Sequence, residues 1–248
     1  MKIVGVYSIK GGVGKTSTAV NIAFLAAAAG NRTLVWDLDP QGAATYYFRV
    51  KPKVKGGGSA LLRGKRELDE VIKGTDFDRL DLLPADFSYR NMDILLEGAK
   101  KRPTGQLERL MRPIKREYDL VFLDCPPSIS LMSENIFRAA DALLVPLIPS
   151  TLSARTLTQL TEFLAKQDAY GKLRLLPFFS LVDESRPLHT DTMDRLTREN
   201  PAIMRTSVPQ APEVERMGLH RMPLVAYAAS NTASRAYREL WAELLEAL

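Results

Sequence analysis

The sequence predicts an α/β fold in which a mostly parallel central sheet carries helices on both faces, giving three layers. Residues 3–7 are an apolar run typical of a buried strand, and they lead through a glycine-rich loop into an alanine-rich, helix-favouring segment at residues 18–29. Residues 118–124 contain a second such run, in which four apolar residues lead into an aspartate. The length of 248 residues fits one large domain over residues 1–248.

The composition is that of an ordered globular protein, with 46% hydrophobic and 25% charged residues. The sequence has neither a signal-peptide pattern at its start nor an apolar segment of the ~18 uninterrupted residues typical of a membrane-spanning helix. The one cysteine, Cys125, excludes an internal disulfide and fits a reducing cytosol, and we interpret it as a small buried residue. A cytoplasmic protein without membrane attachment is expected. The net charge of +5 permits an acidic partner such as nucleic acid.

The other elements follow from apolar runs and helical periodicity. A second strand at residues 32–36 delivers an aspartate-rich turn to the carboxyl edge of the sheet, where ligands bind in open α/β sheets. Residues 43–117 have the weakest pattern. Within them, from residue 49 onward, 17 Lys and Arg stand against 11 Asp and Glu, which indicates a solvated face or a patch facing DNA or a partner. Further strands are predicted at residues 80–83, 142–148, 173–182 and 204–208, and helices at residues 59–73, 89–98, 104–116, 153–170, 190–200 and 234–248.

Residues 8–17 have the pattern of a phosphate-binding loop between a strand and a helix. The glycines let consecutive backbone N–H groups turn inward, and the N-terminus of the helix adds a partial positive charge. In this arrangement Lys15 reaches the β- and γ-phosphates, the Thr16 hydroxyl coordinates Mg²⁺, and Ser17 donates to the α-phosphate. The predicted cofactors are therefore ATP and Mg²⁺. The residues expected around the nucleotide are Gly11, Gly12, Val13, Gly14, Lys15, Thr16 and Ser17.

The loop carries a second lysine, Lys10, four positions before Gly14, where the usual pattern has glycine. A charged side chain in a tight loop costs desolvation unless it meets an anion. This loop resembles the deviant Walker A motif of the ParA/MinD superfamily of P-loop ATPases. The resemblance implies a P-loop NTPase fold and a homodimer that sandwiches two ATP molecules. It also implies that Lys15 acts on the nucleotide of its own subunit and Lys10 on that of the partner.

Two acidic motifs extend the resemblance along the chain. Residues 37–42 resemble the second hallmark of ParA-like proteins. The resemblance implies that Asp39 orients and activates the attacking water and contributes to the Mg²⁺ site, and that Asp37 supports the Mg²⁺ shell. Asp124 ends a buried strand in a Walker B pattern and is expected to hold Mg²⁺ through water. The predicted catalytic residues are Lys10, Lys15 and Asp39, and the predicted metal ligands are Thr16, Asp39 and Asp124.

The resemblance also points to residues later in the chain. Asp183 and Pro209 stand where relatives contact adenine, although the run 215–219 departs from the sequence common in ParA-like chains. From residue 186 onward every Lys or Arg is an arginine, whose planar fork suits contacts with phosphate. The arginines predicted to bind DNA are Arg186, Arg205, Arg216, Arg221 and Arg235.

The sequence therefore predicts a ParA-type positioning ATPase. By resemblance it is a homodimer with ATP, binds DNA without sequence specificity, and hydrolyses ATP under the control of a ParB-like or cargo-adaptor activator. A nucleoid-associated location in the cytoplasm is expected. No helix-turn-helix precedes the first strand, which favours the partitioning and positioning forms that lack this domain. The cargo is a chromosome, a plasmid or a protein assembly such as a carboxysome or a chemotaxis cluster.

Three alternatives remain open at this point. A MinD-like membrane-associated ATPase needs a basic amphipathic tail, whereas residues 234–248 carry Glu239, Glu243 and Glu246 beside their apolar face. A metabolic relative using the same ATP site is the second alternative; the nitrogenase iron protein needs two cysteines per subunit, and an amide- or ring-forming synthetase needs a substrate pocket that the sequence does not reveal. A binding module without turnover is the third, and the intact set of Lys15, Asp39 and Asp124 argues against it.

Overall fold

The computed structural model describes residues 1–98 and 102–248. Its central feature is an eight-stranded sheet in the order β3-β4-β2-β5-β1-β6-β7-β8, in which every neighbouring pair is parallel except β3 with β4. The predicted α/β fold is confirmed. The strands are β1 Lys2–Val6, β2 Thr33–Asp37, β3 Lys73–Gly74, β4 Leu80–Leu83, β5 Leu120–Asp124, β6 Ala142–Leu147, β7 Arg174–Val182 and β8 Ser207–Pro209.

Helices cover both faces of this sheet. Because side chains alternate along a strand, Val4 and Val6 of β1 face one layer, while Ile3 and Tyr7 face the other, in two separate apolar clusters. The helices are α1 Lys15–Ala28, α2 Ala43–Tyr47, α3 Gly57–Leu62, α4 Met92–Glu97, α5 Gln106–Met111, α6 Leu131–Ala139, α7 Thr151–Ala165, α8 Pro187–Glu199, α9 Pro212–Glu215, α10 Met217–His220, α11 Leu224–Tyr227 and α12 Thr232–Ala247.

The three central strands bring the predicted site together. In the parallel register Val6 of β1 and Asp37 of β2 both lie beside Asp124 of β5. Strands β2 and β5 are buried along their whole length, as expected for parallel strands covered on both faces. Two buried carboxylates and the start of the glycine-rich loop therefore meet at one edge of the sheet.

The helix predicted over residues 59–73 is wrong. α3 begins at Gly57 and ends at Leu62, and Gly64 then adopts a φ of +65°, which is a left-handed conformation that a helix cannot continue through. The helix predicted over residues 104–116 is also interrupted, here by a proline. Pro113 follows α5 and opens a short 3₁₀ turn. The sequence pattern does not predict α2, α6, α9, α10 or α11.

The C-terminal helix α12 packs as its periodicity predicts. Its apolar residues Ala236, Tyr237, Leu240 and Leu244 are buried, and the helix lies against α1 and β8. Among the described residues, no helix combines the length and the apolar character needed to cross a bilayer.

Candidate nucleotide-binding site

Glycine is required at two points of the phosphate-binding loop. Gly12 and Gly14 have φ angles of +71° and +88°, and a Cβ atom on Gly14 would stand 2.9 Å from the Ser180 hydroxyl oxygen of β7. Gly14 also forms the N-cap of α1 without any side-chain cap. Within residues 1–98 and 102–248, the first N–H groups of this helix therefore have no capping side chain, which is the arrangement that binds phosphate.

Lys15 is held inside the loop. Its side chain is buried at 7% exposure, and Nζ donates a hydrogen bond of 2.9 Å to the carbonyl oxygen of Lys10. Burial lowers the pKa of Lys15, and the nearby charge of Asp124 opposes this shift. The Lys10 side chain is partly exposed and forms no ion pair within residues 1–98 and 102–248. The loop thus contains one lysine turned inward and one that remains accessible.

Asp124 is a buried carboxylate whose two oxygens have no hydrogen-bond partner among the described residues. Burial, followed by repulsion from Asp37, raises its pKa well above the ordinary aspartate value. The Thr16 hydroxyl lies close enough to lower the pKa of Asp124 in part, although it does not reach hydrogen-bond geometry with either oxygen. A buried, unpartnered carboxylate is costly unless a cation approaches it. Thr16 and Asp124 therefore fit Mg²⁺, which takes one or two protein ligands together with substrate phosphates and water.

Asp37 is anchored differently from Asp124. Its Oδ2 accepts hydrogen bonds from both the backbone N–H and the hydroxyl of Thr45, each at 2.7 Å, while Oδ1 has no partner. The same Thr45 hydroxyl accepts a 2.8 Å bond from the N–H of Ala85. Burial also raises the pKa of Asp37. Asp37 thus connects the carboxyl edge of the sheet to the start of α2.

Asp39 lies at the mouth of the site and is only partly buried. Its Oδ1 accepts a 2.9 Å hydrogen bond from the N–H of Gln41, and its carbonyl accepts one from Gly42 at the same distance. These bonds form a tight turn that fixes the position of the carboxylate. Oδ2 remains available for water or a ligand.

The raised pKa of Asp124 leads to a testable prediction. Between the unfolded value of about 3.9 and the higher folded value, the folded chain binds the additional proton, so the free energy of unfolding falls as the pH rises through this window. Asp124→Asn removes the buried charge, and the nucleotide-free variant should therefore have a higher Tm than the wild type at pH 8.

Thermal unfolding across a pH series measures this effect, and the difference should shrink towards zero as the pH approaches 4. The same variant should lose the Mg²⁺-dependent part of its ATP affinity. A Tm at pH 8 below that of the wild type would show that Asp124 is not a destabilising charge in the free protein.

The two residues expected to contact adenine lie at the ends of neighbouring strands. Pro209 ends β8, and Asp183 follows β7. The Asp183 carboxylate accepts a hydrogen bond from the Ser185 hydroxyl at 2.6 Å and pairs with Arg186 at 2.9 Å, and these contacts lower its pKa. Asp183 is thus bonded within its own turn, and its contact with a base stays a prediction.

The arginines predicted to bind DNA differ in whether other groups of the fold already contact their guanidinium groups. Arg205 pairs with Glu243 and Glu246, and Arg186 pairs with Asp183. Arg221 lies over the ring of Tyr46 with its guanidinium carbon 4.4 Å from the ring centre, and it donates to the Tyr46 carbonyl.

Arg216 and Arg235 are the exposed members of this set that form no ion pair in the part of the chain that the structure describes. The phosphate contacts of all five arginines stay a prediction.

Sequence reasoning missed two residues of the site. Thr45 holds Asp37, and the signal for it is indirect, because a buried aspartate at a strand end requires a donor. Ser180 packs against Gly14 next to a β-bulge in which Leu181 has a φ of +54°. Nothing in the apolar sequence of β7 indicates this bulge.

A family model described as an AAA domain matches residues 1–174. The chain belongs to this family. The AAA-domain chain is also 26% identical to the sporulation initiation inhibitor protein Soj of Bacillus subtilis (strain 168), over 98% of each protein. It is 29% identical to the chromosome partitioning protein ParA of Myxococcus xanthus, over 99% of this chain and 88% of that protein. The predicted membership of the ParA/MinD superfamily is confirmed.

The solved structures similar to this AAA-domain chain include cobyrinic acid a,c-diamide synthase from Mycobacterium smegmatis with bound ADP and magnesium. The TM-score is 0.84 and the identity 26%, over 99% of this chain and 94% of that one. That structure agrees with the predicted P-loop NTPase fold.

Proposed function

We propose that this chain is a partitioning ATPase that binds ATP and Mg²⁺, dimerises around the nucleotide, and hydrolyses it under the control of a partner protein. In this proposal the ATP-bound dimer binds DNA without sequence specificity, and hydrolysis releases it. The names of the Soj and ParA relatives support the partitioning role. A chromosome, a plasmid or a protein assembly remains the proposed cargo.

The observation that carries the nucleotide site is the fully buried Asp124 with both oxygens unpartnered, placed beside Thr16 and Lys15. An ammonium group, a hydroxyl and an isolated carboxylate at the N-terminus of a helix suit a phosphate chain with a divalent cation. When bound, ATP would supply the phosphoryl group and Mg²⁺ would neutralise the charge of the phosphates.

Each residue of the nucleotide site then has a defined role. The N–H groups of the loop and the Lys15 ammonium bind and orient the phosphates. Asp39 orients the attacking water and accepts its proton through the carboxylate that its turn holds in place. Lys10 contributes its partly exposed ammonium to the partner subunit's nucleotide.

The experiment that tests the DNA-binding part is a salt series of binding to nonspecific duplex DNA with ATP, with ADP and without nucleotide. We expect binding with ATP alone, weakening steeply with salt because phosphate contacts release counterions. Arg216→Ala and Arg235→Ala should each reduce the slope of log K against log salt by about 1.

Arg186→Ala and Arg205→Ala are the matched comparisons and should change the slope less, because these arginines are paired with carboxylates. Absence of DNA binding in every nucleotide state, with ATP-dependent dimers still forming, would remove DNA from the proposal and leave the ATPase.

A second candidate is an ATP-dependent amide-forming synthetase, which the structural match to cobyrinic acid a,c-diamide synthase favours. The two candidates differ in what accelerates ATP hydrolysis. A protein partner with DNA accelerates it in the partitioning ATPase, whereas a carboxylate substrate with a nitrogen donor accelerates it in the synthetase. The chain's one cysteine, Cys125, is fully buried and its pKa is raised, so it does not provide a thiolate for releasing ammonia from glutamine. ATP turnover stimulated by a small carboxylic acid and ammonia, but not by DNA with a partner, would favour this candidate.

A further inference from the structure

A cavity of about 650 Å³ lies apart from the nucleotide site, at the edge of the sheet formed by β3. Four lysines line it: Lys51, Lys53 and Lys55 from the segment after α2, and Lys73 from β3 itself. All four are exposed. The sequence indicates that the basic section at residues 49–117 is a solvated face or a patch facing DNA or a partner. Part of its positive charge therefore surrounds one concave site.

Lys53 and Lys55 lie near enough to Asp86 and Glu70 for their charges to act on these carboxylates, but neither contact is an ion pair. No carboxylate of residues 1–98 and 102–248 lies within ion-pair distance of any of the four. Glu70 also lines the cavity, but its carboxylate is bound by Arg66, which lowers the pKa of Glu70. Four like charges around one concavity repel each other and favour an anionic ligand.

The backbone at this site is also open to a ligand. β3 is the last strand on its side of the sheet and pairs antiparallel with β4 alone. The N–H of Thr75 donates a hydrogen bond to the carbonyl of Leu80. In an antiparallel pair, residues that bond to the partner strand alternate with residues that do not, so the N–H and C=O of Gly74 point away from β4. Gly74 lines the cavity, and even a Cβ atom placed on it would meet only Asp81, at 3.8 Å. An unpaired strand edge of this kind accepts an added strand.

The residues that line the cavity favour one class of anionic ligand over another. Val50 is partly exposed and contributes apolar surface, whereas Val71 is buried beneath the lining. No aromatic side chain is present among the lining residues for a base to stack on. A duplex backbone requires phosphate contacts but gains nothing from a concave apolar wall or an open strand edge. An extended peptide with acidic and apolar residues at alternate positions matches the lysines, Val50 and the backbone of Gly74 together.

We propose that this cavity binds an acidic, extended peptide segment of a partner protein, which adds to the sheet along β3. Its carboxylates meet the four lysines, its alternate apolar side chains cover Val50, and its backbone bonds to Gly74. The proposal does not depend on ATP hydrolysis, because the cavity shares no residue with the nucleotide site.

Fluorescence anisotropy of the full chain tests this proposal with a fluorescein-labelled peptide of about seven residues, in which glutamate alternates with valine so that one face is acidic. We expect saturable binding, weakened at least ~10-fold by the double substitution Lys53→Glu with Lys73→Glu, since like charges then face the peptide. The matched control is Lys166→Glu with Lys172→Glu, which reverses two exposed lysines elsewhere and should leave the affinity unchanged. A peptide with glutamine in place of glutamate should not bind.

Three outcomes would overturn the proposal: no saturable binding of the acidic peptide, equal weakening in the control pair, or equal binding of the glutamine peptide. Duplex DNA of random sequence is the competing probe. If it binds with the same dependence on Lys53 and Lys73 while the peptide does not, the cavity belongs to a nucleic-acid surface. Unchanged Tm and ATP affinity of both double variants show that the fold and the nucleotide site are intact, so a failure here is separate from a failure of the proposed ATPase.

Discussion

Replacing Lys15 with alanine is expected to weaken ATP binding at least ~100-fold and to abolish the ATP-dependent dimer. Hydrogen bonds to charged groups contribute about 1.5–3 kcal/mol each, and two such bonds to phosphate correspond to about two factors of ten in affinity. The buried Lys15 ammonium lies in the loop near Asp124, and its charge acts to lower the pKa of that carboxylate. Isothermal titration with ATP and Mg²⁺, together with light scattering for the dimer, measures both losses.

Two companion variants separate the roles of the lysines. Lys10→Ala should bind ATP as a monomer with near wild-type affinity but fail to dimerise, because Lys10 is proposed to act on the partner subunit's nucleotide. Lys2→Ala removes an exposed lysine outside the loop and should behave as the wild type. Lys15→Ala also loses the bond to the Lys10 carbonyl, so its Tm must be compared. Wild-type ATP affinity in a folded Lys15→Ala protein would contradict the assignment.

The central sheet was predictable because its strands are defined by local composition. Parallel strands covered on both faces must be apolar along their length, which is why the run before Asp124 and the strand β6 Ala142–Leu147 stand out in the sequence. The phosphate-binding loop was predictable for a related reason. Its positive φ angles and close contact with Ser180 require glycine at fixed positions.

Residues 43–117 were less predictable because their helices are short and end through backbone geometry. α3 has six residues, and α5 has six and is followed by a proline. Helices of this length are stabilised by tertiary packing and not by propensity, so periodicity over a long window overextends them. α2 was missed for the same reason, although its first turn carries Thr45, the donor that holds Asp37.

Charge pairing was the part of the candidate interface that composition could not predict. The run from residue 186 to the C-terminus has eight arginines and eight acids, so its sequence alone does not say which arginines are neutralised. In the structure Arg205 and Arg186 are paired, whereas Arg216 and Arg235 are not, within the described residues. Pairing joins residues as far apart in sequence as Arg205 and Glu243, and only the fold brings these together.

Replacing Asp39 is expected to separate ATP binding from hydrolysis. Asp39→Ala should bind ATP with Mg²⁺, dimerise and remain on DNA, while its rate of phosphate release falls at least ~100-fold, which is the usual effect of losing a positioned general base. The reason lies in its location, since Asp39 is at the mouth of the site and contacts neither Lys15 nor Thr16 through a hydrogen bond. Phosphate release under single-turnover conditions measures the chemical step directly.

Asp39→Asn is the sharper version of this test. The asparagine oxygen still accepts the bond from the Gln41 N–H, so the turn is kept while the basic carboxylate is lost. If Asp39→Ala is slow and Asp39→Asn hydrolyses at the wild-type rate, Asp39 acts by shaping the turn and not as a base. If both are slow, with ATP affinity intact and the exposed control Asp191→Asn unaffected, the carboxylate itself is required, because the two variants share only its absence.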